Sequence, residues 1–214
     1  LLSLSSNDSN LGSVVINGRP IKYINAGFNK LIARHKCNLP KNINTSKRIK
    51  YLFSKRENKI SDYFHKSAKM MVDYFIKNNI SLVVIGKNDG WKNKINLGKR
   101  NNQNFVSIPF NKIIFYIKYR CEIEGIEVIE REESYTSKCS FLDMEPIQKH
   151  QTYAGKRTKR GLFESGNKVL INADINASLN ILRKEIGNIP FNGMNPIRDF
   201  AVSPVKITTP VSGK

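Results

Sequence analysis

The chain has 214 residues, 40% of them hydrophobic and 9% aromatic, with 36 Lys and Arg against 17 Asp and Glu, a net charge of +19. This apolar content supports one sizeable core and excludes a disordered polybasic tail. No run of about 18 apolar residues is present, so no membrane-spanning helix is predicted.

The first part of the chain is predicted to begin with two strands, at residues 1–7 and 13–25, with Asn17-Gly18 as a hairpin turn. Residues 26–44 are predicted to be a basic, irregular connector. This segment is basic and ends in an Asn-rich piece.

A long amphipathic helix is predicted next, because apolar residues keep helical spacing up to about Asn79. Thr45 or Ser46 suits its N-cap, and a break near Glu57-Asn58 is an alternative to one continuous helix. The apolar segment SLVVIG at 81–86 then has the pattern of a buried central strand.

The second half is predicted to alternate helices and short strands: a loop at 87–104, a helix at 110–124, a strand at 125–130, a loop-rich insertion at 131–169 and a helix at 172–186. Residues 188–214 are predicted to be an extended tail with an edge segment at 205–207. This order of elements favours an α/β fold, a ribonuclease-H-like mixed sheet with flanking helices over residues 1–187.

The cysteines indicate the compartment of the protein. Cys37, Cys121 and Cys139 are too few for a disulfide framework, and no secretory signal peptide is visible. A cytoplasmic protein is therefore predicted. Residue 1 is Leu rather than Met, so the chain is expected to be a fragment.

The charges are distributed unevenly. Residues 1–100 hold 20 Lys and Arg against 5 Asp and Glu, whereas residues 101–214 have 16 against 12, including six glutamates between Glu122 and Glu133. Basic residues that neutralise phosphates release counterions and so bind nucleic acid. Clustered carboxylates are needed in addition only where metal ions assist phosphodiester cleavage.

Two carboxylates are placed where a two-metal nuclease would need them. Glu133 follows the predicted strand at 125–130, and Asp174 lies in the first turn of the last predicted helix. A solvated glutamate and a helix-capping aspartate are the alternatives. Asn172, Asn176 and Asn180 recur on one face of this helix, which predicts a polar contact because Asn is a poor helix former.

Basic loops supply candidate contacts to nucleic acid, where cations and aromatic rings suit phosphates and bases. Their alternatives are a Trp that anchors its loop on the core and solvated basic turns. The predicted nucleic-acid-binding residues are Lys87, Trp91, Lys92, Lys94, Lys99, Arg100, Lys138, Lys156, Arg157, Lys159, Arg160, Asn176 and Asn180.

Four motifs in this order resemble the TnpB proteins of bacterial insertion sequences, which are related to type V CRISPR effectors: residues 85–110, 133–143 (ESYTSKCSFLD), 155–163 (GKRTKRGLF) and 171–184 (INADINASLNILRK). The resemblance implies a RuvC-type, RNA-guided DNA endonuclease that requires Mg²⁺ or Mn²⁺. Implied partners are DNA and a guide RNA, with no membrane, in a bacterial cytoplasm and on the nucleoid when DNA-bound.

Three departures from the family change these expectations. The family's paired CxxC zinc ribbon is missing around Cys139, so no zinc is predicted. The strand that should end in the second acid ends in Gly86-Lys87-Asn88, so Glu133 is taken as a relocated acid, with Glu132 and Glu130 as alternatives. In the family, the first catalytic Asp lies in a D-x-G strand just before a segment like residues 1–7, with which this sequence begins, so this Asp is expected to be missing here.

The third departure leads to the expectation that metal binding and cleavage belong to the full-length protein, and that these 214 residues alone are inactive. A catalytically inactive DNA- or RNA-binding remnant or regulator of a transposable element is the main alternative function. A structural RNA-binding protein would explain the positive charge but not the acidic cluster or the four motifs.

Overall fold

The computed structural model describes residues 1–8, 10–88, 108–188 and 204–209. Within these residues the chain forms two compact units. The sheet unit contains the strands and the last helix, and the helical unit contains the three earlier helices. The predicted boundary between a domain at 1–187 and a tail stays a prediction.

A small sheet joins segments that are far apart in the sequence. Strand β1 (Leu2–Leu4) pairs antiparallel with β2 (Val14–Ile16), and a third strand, Val205–Ile207, pairs parallel with β2. Val14 and Ile16 alternate with Val15 and are buried, as expected for a half-buried strand. The predicted edge segment at 205–207 is therefore confirmed.

Helix α1 (Arg19–Cys37) replaces the predicted second half of the strand at 13–25 and most of the predicted connector at 26–44. Both predictions are wrong here, and Asn17-Gly18 is not a hairpin turn. The Asn17 side chain accepts the Arg19 N–H at 3.0 Å, and Pro20 lies in the first turn, where its restricted φ favours a helix. Local start signals thus outweigh the apolar alternation.

Helix α2 (Lys47–Lys77) confirms the predicted long helix and is continuous through Glu57 and Asn58. Ser46 is its N-cap and accepts the Ile49 N–H at 3.2 Å. Helices α1 and α3 (Phe110–Ile123) both pack against α2. The buried side chains of α2 share one face: Ile49, Leu52, Ile60, Tyr63, Phe64, Ser67, Ala68, Met71, Val72 and Phe75.

Strand β3 (Leu82–Lys87) pairs parallel with β4 (Glu127–Glu132), with Gly86 opposite Arg131. Between them, α3 ends before Gly125, whose φ of 69° suits glycine. The two predicted strands at 81–86 and 125–130 are confirmed with shifted ends. Because the strands are parallel, their carboxyl ends lie at the same edge, and Glu133 follows directly from that edge.

The predicted loop-rich insertion at 131–169 contains two strands. Strands β5 (Lys156–Lys159) and β6 (Leu162–Glu164) form an antiparallel hairpin, and β7 (Leu170–Asn172) pairs with β6. Gly161, at φ 79°, lies in the hairpin turn. Strand β5 is charged and exposed along its whole length, so it lacks the alternation of apolar and polar residues that predicts a strand.

Helix α4 (Ala173–Ile186) follows β7 directly and confirms the predicted last helix. Its apolar face packs with the β5–β7 sheet in a core of Phe141, Phe163, Ile171, Ala173, Ile175 and Leu179. With the strand Val205–Ile207 named β8, the described residues form three small sheets. The α/β class is confirmed; the single ribonuclease-H-like sheet stays a prediction.

Within the described ranges, no helix is long and apolar enough to cross a membrane.

Candidate metal and nucleic-acid site

Glu133 lies immediately after β4, and its carboxylate occupies the space above Gly86 on the neighbouring strand. A Cβ atom at Gly86 would lie 3.1 Å from Glu133 Oε2 and would overlap Ile181 Cδ1 of α4. Burial raises the pKa of Glu133, and the neighbouring Glu132 charge adds to this, while Lys184 opposes it. Because Gly86 has no side chain, the Glu133 carboxylate, which follows β4, has space beside the end of β3.

The two alternative acids, Glu130 and Glu132, each form an ion pair with a lysine of the chain. Glu130 forms an ion pair with Lys87 at 2.7 Å, so Lys87 lies against a carboxylate of its own chain. Glu132 accepts the Ser134 N–H at 3.1 Å and pairs with Lys184 at 3.3 Å. Within the described part of the chain, the Glu133 carboxylate has no hydrogen-bond partner, and it is the acid best placed to accept an external cation.

Asp174 lies in the first turn of α4 but does not cap the helix. The Asn172 side chain is the cap and accepts the N–H groups of Asp174 at 2.9 Å and Ile175 at 3.3 Å. The Asp174 carboxylate is exposed, and Arg157 Nη2 of β5 lies 3.7 Å from its Oδ1. The capping alternative for Asp174 is thereby removed.

Glu133 and Asp174 both belong to the sheet unit. Helix α4 carries Asp174 in its first turn and reaches the Glu133 region through Ile181. Ile181, beside Gly86 and Glu133, lies on the same helix face as Asp174, seven residues or about 10 Å further along. No group of three or more His, Cys, Asp or Glu that could hold a metal ion is found among the described residues.

Asn176 and Asn180 are fully buried, which corrects their prediction as nucleic-acid contacts. Asn176 accepts the Phe141 N–H and donates to the Cys139 carbonyl, both at 2.9 Å. Asn180 donates to the carbonyls of Thr136 at 3.0 Å and Cys139 at 2.8 Å. The polar partner expected for this helix face is therefore the protein's own loop after β4.

The β5–β6 hairpin presents its cations to solvent. Lys156, Arg157, Lys159 and Arg160 are all exposed, as is Lys138, whose Nζ lies 5.9 Å from the centre of the Tyr153 ring. This exposure is compatible with their predicted contact to phosphate. The predicted residues Trp91, Lys92, Lys94, Lys99 and Arg100 lie outside the described residues.

Two buried or half-buried carboxylates that the sequence reasoning missed organise the segment around Cys139. Glu145 accepts the N–H groups of Ser140 at 2.7 Å and Ala154 at 2.9 Å, and Asp143 accepts the Gly166 N–H at 2.7 Å. Cys139 is a buried thiol whose Sγ donates to the Pro146 carbonyl. The only sequence signal for this arrangement is the pair of acids four and six residues after Cys139, a cysteine that lacks a CxxC partner.

Comparisons with known proteins agree on one resemblance. Residues 110–181 match the family described as Cas12f1-like, TNB domain. The chain is 23% identical over 162 residues to the TnpB-like protein ORF457 of Acidianus two-tailed virus, covering 72% of this chain and 32% of that protein.

Among solved structures, the chain is similar to one from the cryo-EM structure of the Cas12f1–sgRNA–target DNA complex. The TM-score is 0.52 with 25% identity, covering 73% of this chain and 41% of that one. The chain thus spans less than half the length of both relatives. These likenesses confirm the resemblance to TnpB-type proteins that the four motifs predicted.

Proposed function

From this resemblance to TnpB-like and Cas12f1 proteins, we propose that the chain is part of an RNA-guided, metal-dependent DNA endonuclease with a RuvC-type catalytic domain. Support comes from the Cas12f1 neighbour, which was solved with sgRNA and target DNA. DNA and a guide RNA are the proposed partners. A TnpB-type, transposon-associated role is part of the proposal, supported by the likeness to the TnpB-like viral protein.

The metal-binding part of the proposal is carried by the Glu133 carboxylate, which is half-buried and has no hydrogen-bond partner in the described residues. Asp174 supplies a second carboxylate in the same unit. Mg²⁺ and Mn²⁺ prefer such hard oxygen ligands, so the donor chemistry fits. A bound divalent ion would supply positive charge where a phosphodiester is cleaved.

The chain's own cations are proposed to orient the nucleic acid. Arg157, close to Asp174, is placed to bind a phosphate oxygen beside the carboxylates and to limit repulsion between phosphate and Asp174. The exposed Lys156, Lys159 and Arg160 extend this basic strip along the hairpin. Phosphate contacts of this kind set register, while sequence recognition would fall to the guide RNA.

A cleavage assay tests the proposal. The full-length protein is purified with the RNA that co-purifies with it, and cleavage of a DNA library is measured in Mg²⁺. Glu133→Gln and Asp174→Asn are each expected to reduce the rate by about 100-fold or more, because each removes a metal-binding charge. Glu127→Gln, at an exposed position of β4, is the matched control and should retain activity.

The two candidate functions give different results. Equal cleavage by Glu133→Gln and by the unmodified protein would contradict the assignment of Glu133. If the unmodified protein binds RNA and DNA without cleaving, and neither substitution changes binding, the inactive remnant or regulator is the better description.

A further inference from the structure

Helix α4 holds the segment after β4 along most of its length. Asn176, Asn180 and Arg183 bind the backbone between Thr136 and Glu145 through their side chains. Lys184 binds the beginning of the same segment, on both sides of Glu133. The helix that carries Asp174 thereby also determines where Glu133 lies.

The Lys184 ammonium group makes three polar contacts with the residues on either side of Glu133. Its Nζ donates to the Glu132 carbonyl at 2.9 Å and to the Ser134 carbonyl at 3.0 Å, and it lies 3.3 Å from Glu132 Oε2. An ammonium group has three donors, and these three acceptors can satisfy all of them. Two acceptors are the backbone carbonyls of the residues that flank Glu133.

The backbone in this segment needs such support. Tyr135 has a φ of 65°, a left-handed conformation that a bulky side chain seldom adopts without compensation from surrounding contacts. One residue before Tyr135, the Ser134 carbonyl is bound by Lys184; one residue after it, the Thr136 carbonyl is bound by Asn180. The unusual turn is therefore fixed on both sides by α4.

We propose that Lys184 is a positioning residue for Glu133: it holds the Glu132 carboxylate and the two flanking carbonyls, so that Glu133, and not Glu132, faces the metal ion. This rests on the proposed function, in which Glu133 and Asp174 are the metal-binding carboxylates. In extended backbone, adjacent side chains point in opposite directions, so a fixed backbone decides which acid points inward. The sequence favours Glu133 but leaves Glu132 open as an alternative acid.

The direction in which metal affinity changes on removal of the Lys184 charge distinguishes a positioning role from a purely electrostatic one. Lys184 is a cation beside an acidic site, so removing its charge should strengthen the binding of a divalent cation if electrostatics alone matters. If Lys184 positions Glu133, the same substitution should weaken metal binding instead. Substitutions of groups that orient metal ligands typically weaken affinity by about 10–100-fold.

The experiment titrates the full-length protein with Mn²⁺ alone as the probe, and NMR detects the broadening of the Glu133 and Asp174 amide signals. Lys184→Met is expected to weaken the apparent affinity about tenfold, and Lys184→Arg to restore most of it. In a Glu133→Gln background, Lys184→Met should have little further effect, because the two residues act through the same contact.

Lys168→Met is the matched control, since it removes an exposed ion pair with Glu164 in the same unit. Unchanged or tighter Mn²⁺ binding by Lys184→Met, or an equal loss in the Glu133→Gln background, would overturn the positioning role. Absence of broadening at Glu133 and Asp174 in the unmodified protein, or broadening unaffected by Glu133→Gln, would instead contradict the proposed metal site itself.

Discussion

Single buried amides hold the loop after β4 to the last helix. Asn180 is fully buried, donates to two carbonyls and accepts from Arg183 Nη1 at 3.1 Å. Loss of such a side chain leaves several buried polar groups without a partner, and each costs about 1–3 kcal/mol. This makes Asn180 more important for stability than its asparagine neighbours in exposed positions.

The variant Asn180→Ala should lower the free energy of unfolding by about 2–3 kcal/mol in urea denaturation. Asn58→Ala, at an exposed position of α2, is the control and should have an effect of about 0.5 kcal/mol or less. Comparable losses in both variants would show that the hydrogen bonds of Asn180 are not the cause.

The three cysteines differ in burial and therefore in reactivity. Cys37 is exposed, whereas burial raises the pKa of the Cys121 thiol to about 11 and also raises the pKa of Cys139. The thiolate is the reactive form. At a pH of about 8, the native chain should thus react rapidly with a disulfide reagent at Cys37 alone.

For Cys121 the raised pKa also affects stability. Between the unfolded pKa of 9.0 and the folded pKa of about 11, the folded state keeps a proton that the unfolded state has lost. Stability should fall as the pH rises through this window, with labelling of Cys121 following unfolding. Labelling of Cys121 as fast as Cys37 at a pH of about 8 would contradict its burial.

At the scale of elements, α2 shows how a local signal defines a helix end. Ser46 caps the first turn, which carries Lys47, Arg48 and Lys50 and no acidic residue. Cations at a helix N-terminus are unfavourable with respect to the helix dipole, so the cap is the main stabilising feature there. Ser46→Ala should therefore be costly despite the high helix propensity of alanine.

Ser46→Ala is expected to reduce the free energy of unfolding by about 1 kcal/mol. Ser54→Ala is the matched control in the same helix, where an exposed serine has no capping role and alanine should stabilise by a few tenths of a kcal/mol. Thermal unfolding monitored by circular dichroism measures both. A neutral Ser46→Ala variant would show that tertiary packing alone determines this helix end.

The same scale explains the main error in the predicted elements. Val14–Ile16 does form a strand, but the predicted strand runs on past Gly18, although Pro20 in the first helical turn and the Asn17 side chain, which accepts the Arg19 N–H, favour a helix start. Short apolar segments are ambiguous between strand and helix, and local helix-start signals such as these resolve the ambiguity. The long helix and the last helix were predictable because their apolar periodicity covers several turns.

At the scale of the whole molecule, the charges separate between the units. Residues 17–81 of the helical unit hold 15 Lys and Arg and three acids, and each of these acids forms an ion pair: Glu57 with Lys112, Asp62 with Lys66 and Asp73 with Lys69. Exposed cations near the start of α2, such as Lys47 and Lys50, have no acidic partner in the described residues. Binding of nucleic acid should depend on them.

The double variant Lys47→Gln and Lys50→Gln is expected to weaken binding of a fluorescein-labelled single-stranded RNA. The slope of log affinity against log salt concentration should also fall by about 1.4, the value for two lost phosphate contacts. Fluorescence anisotropy at several salt concentrations gives both. The matched control, Lys66→Gln with Lys69→Gln, removes the same charge from ion-paired positions, and an equal effect there would show that only net charge matters.

Local pattern was enough to identify the α/β class, the periodic helices, the two parallel strands and the identity of Glu133 and Asp174 as candidate acids, because periodicity, caps and motifs lie in contiguous residues. Tertiary structure was required to show that Glu130 and Glu132 are paired, that Gly86 leaves room for the Glu133 carboxylate, and that Asn176 and Asn180 face a loop rather than nucleic acid. Each of these depends on contacts between residues about 30 to 50 positions apart, and such long-range contacts leave no period in the sequence.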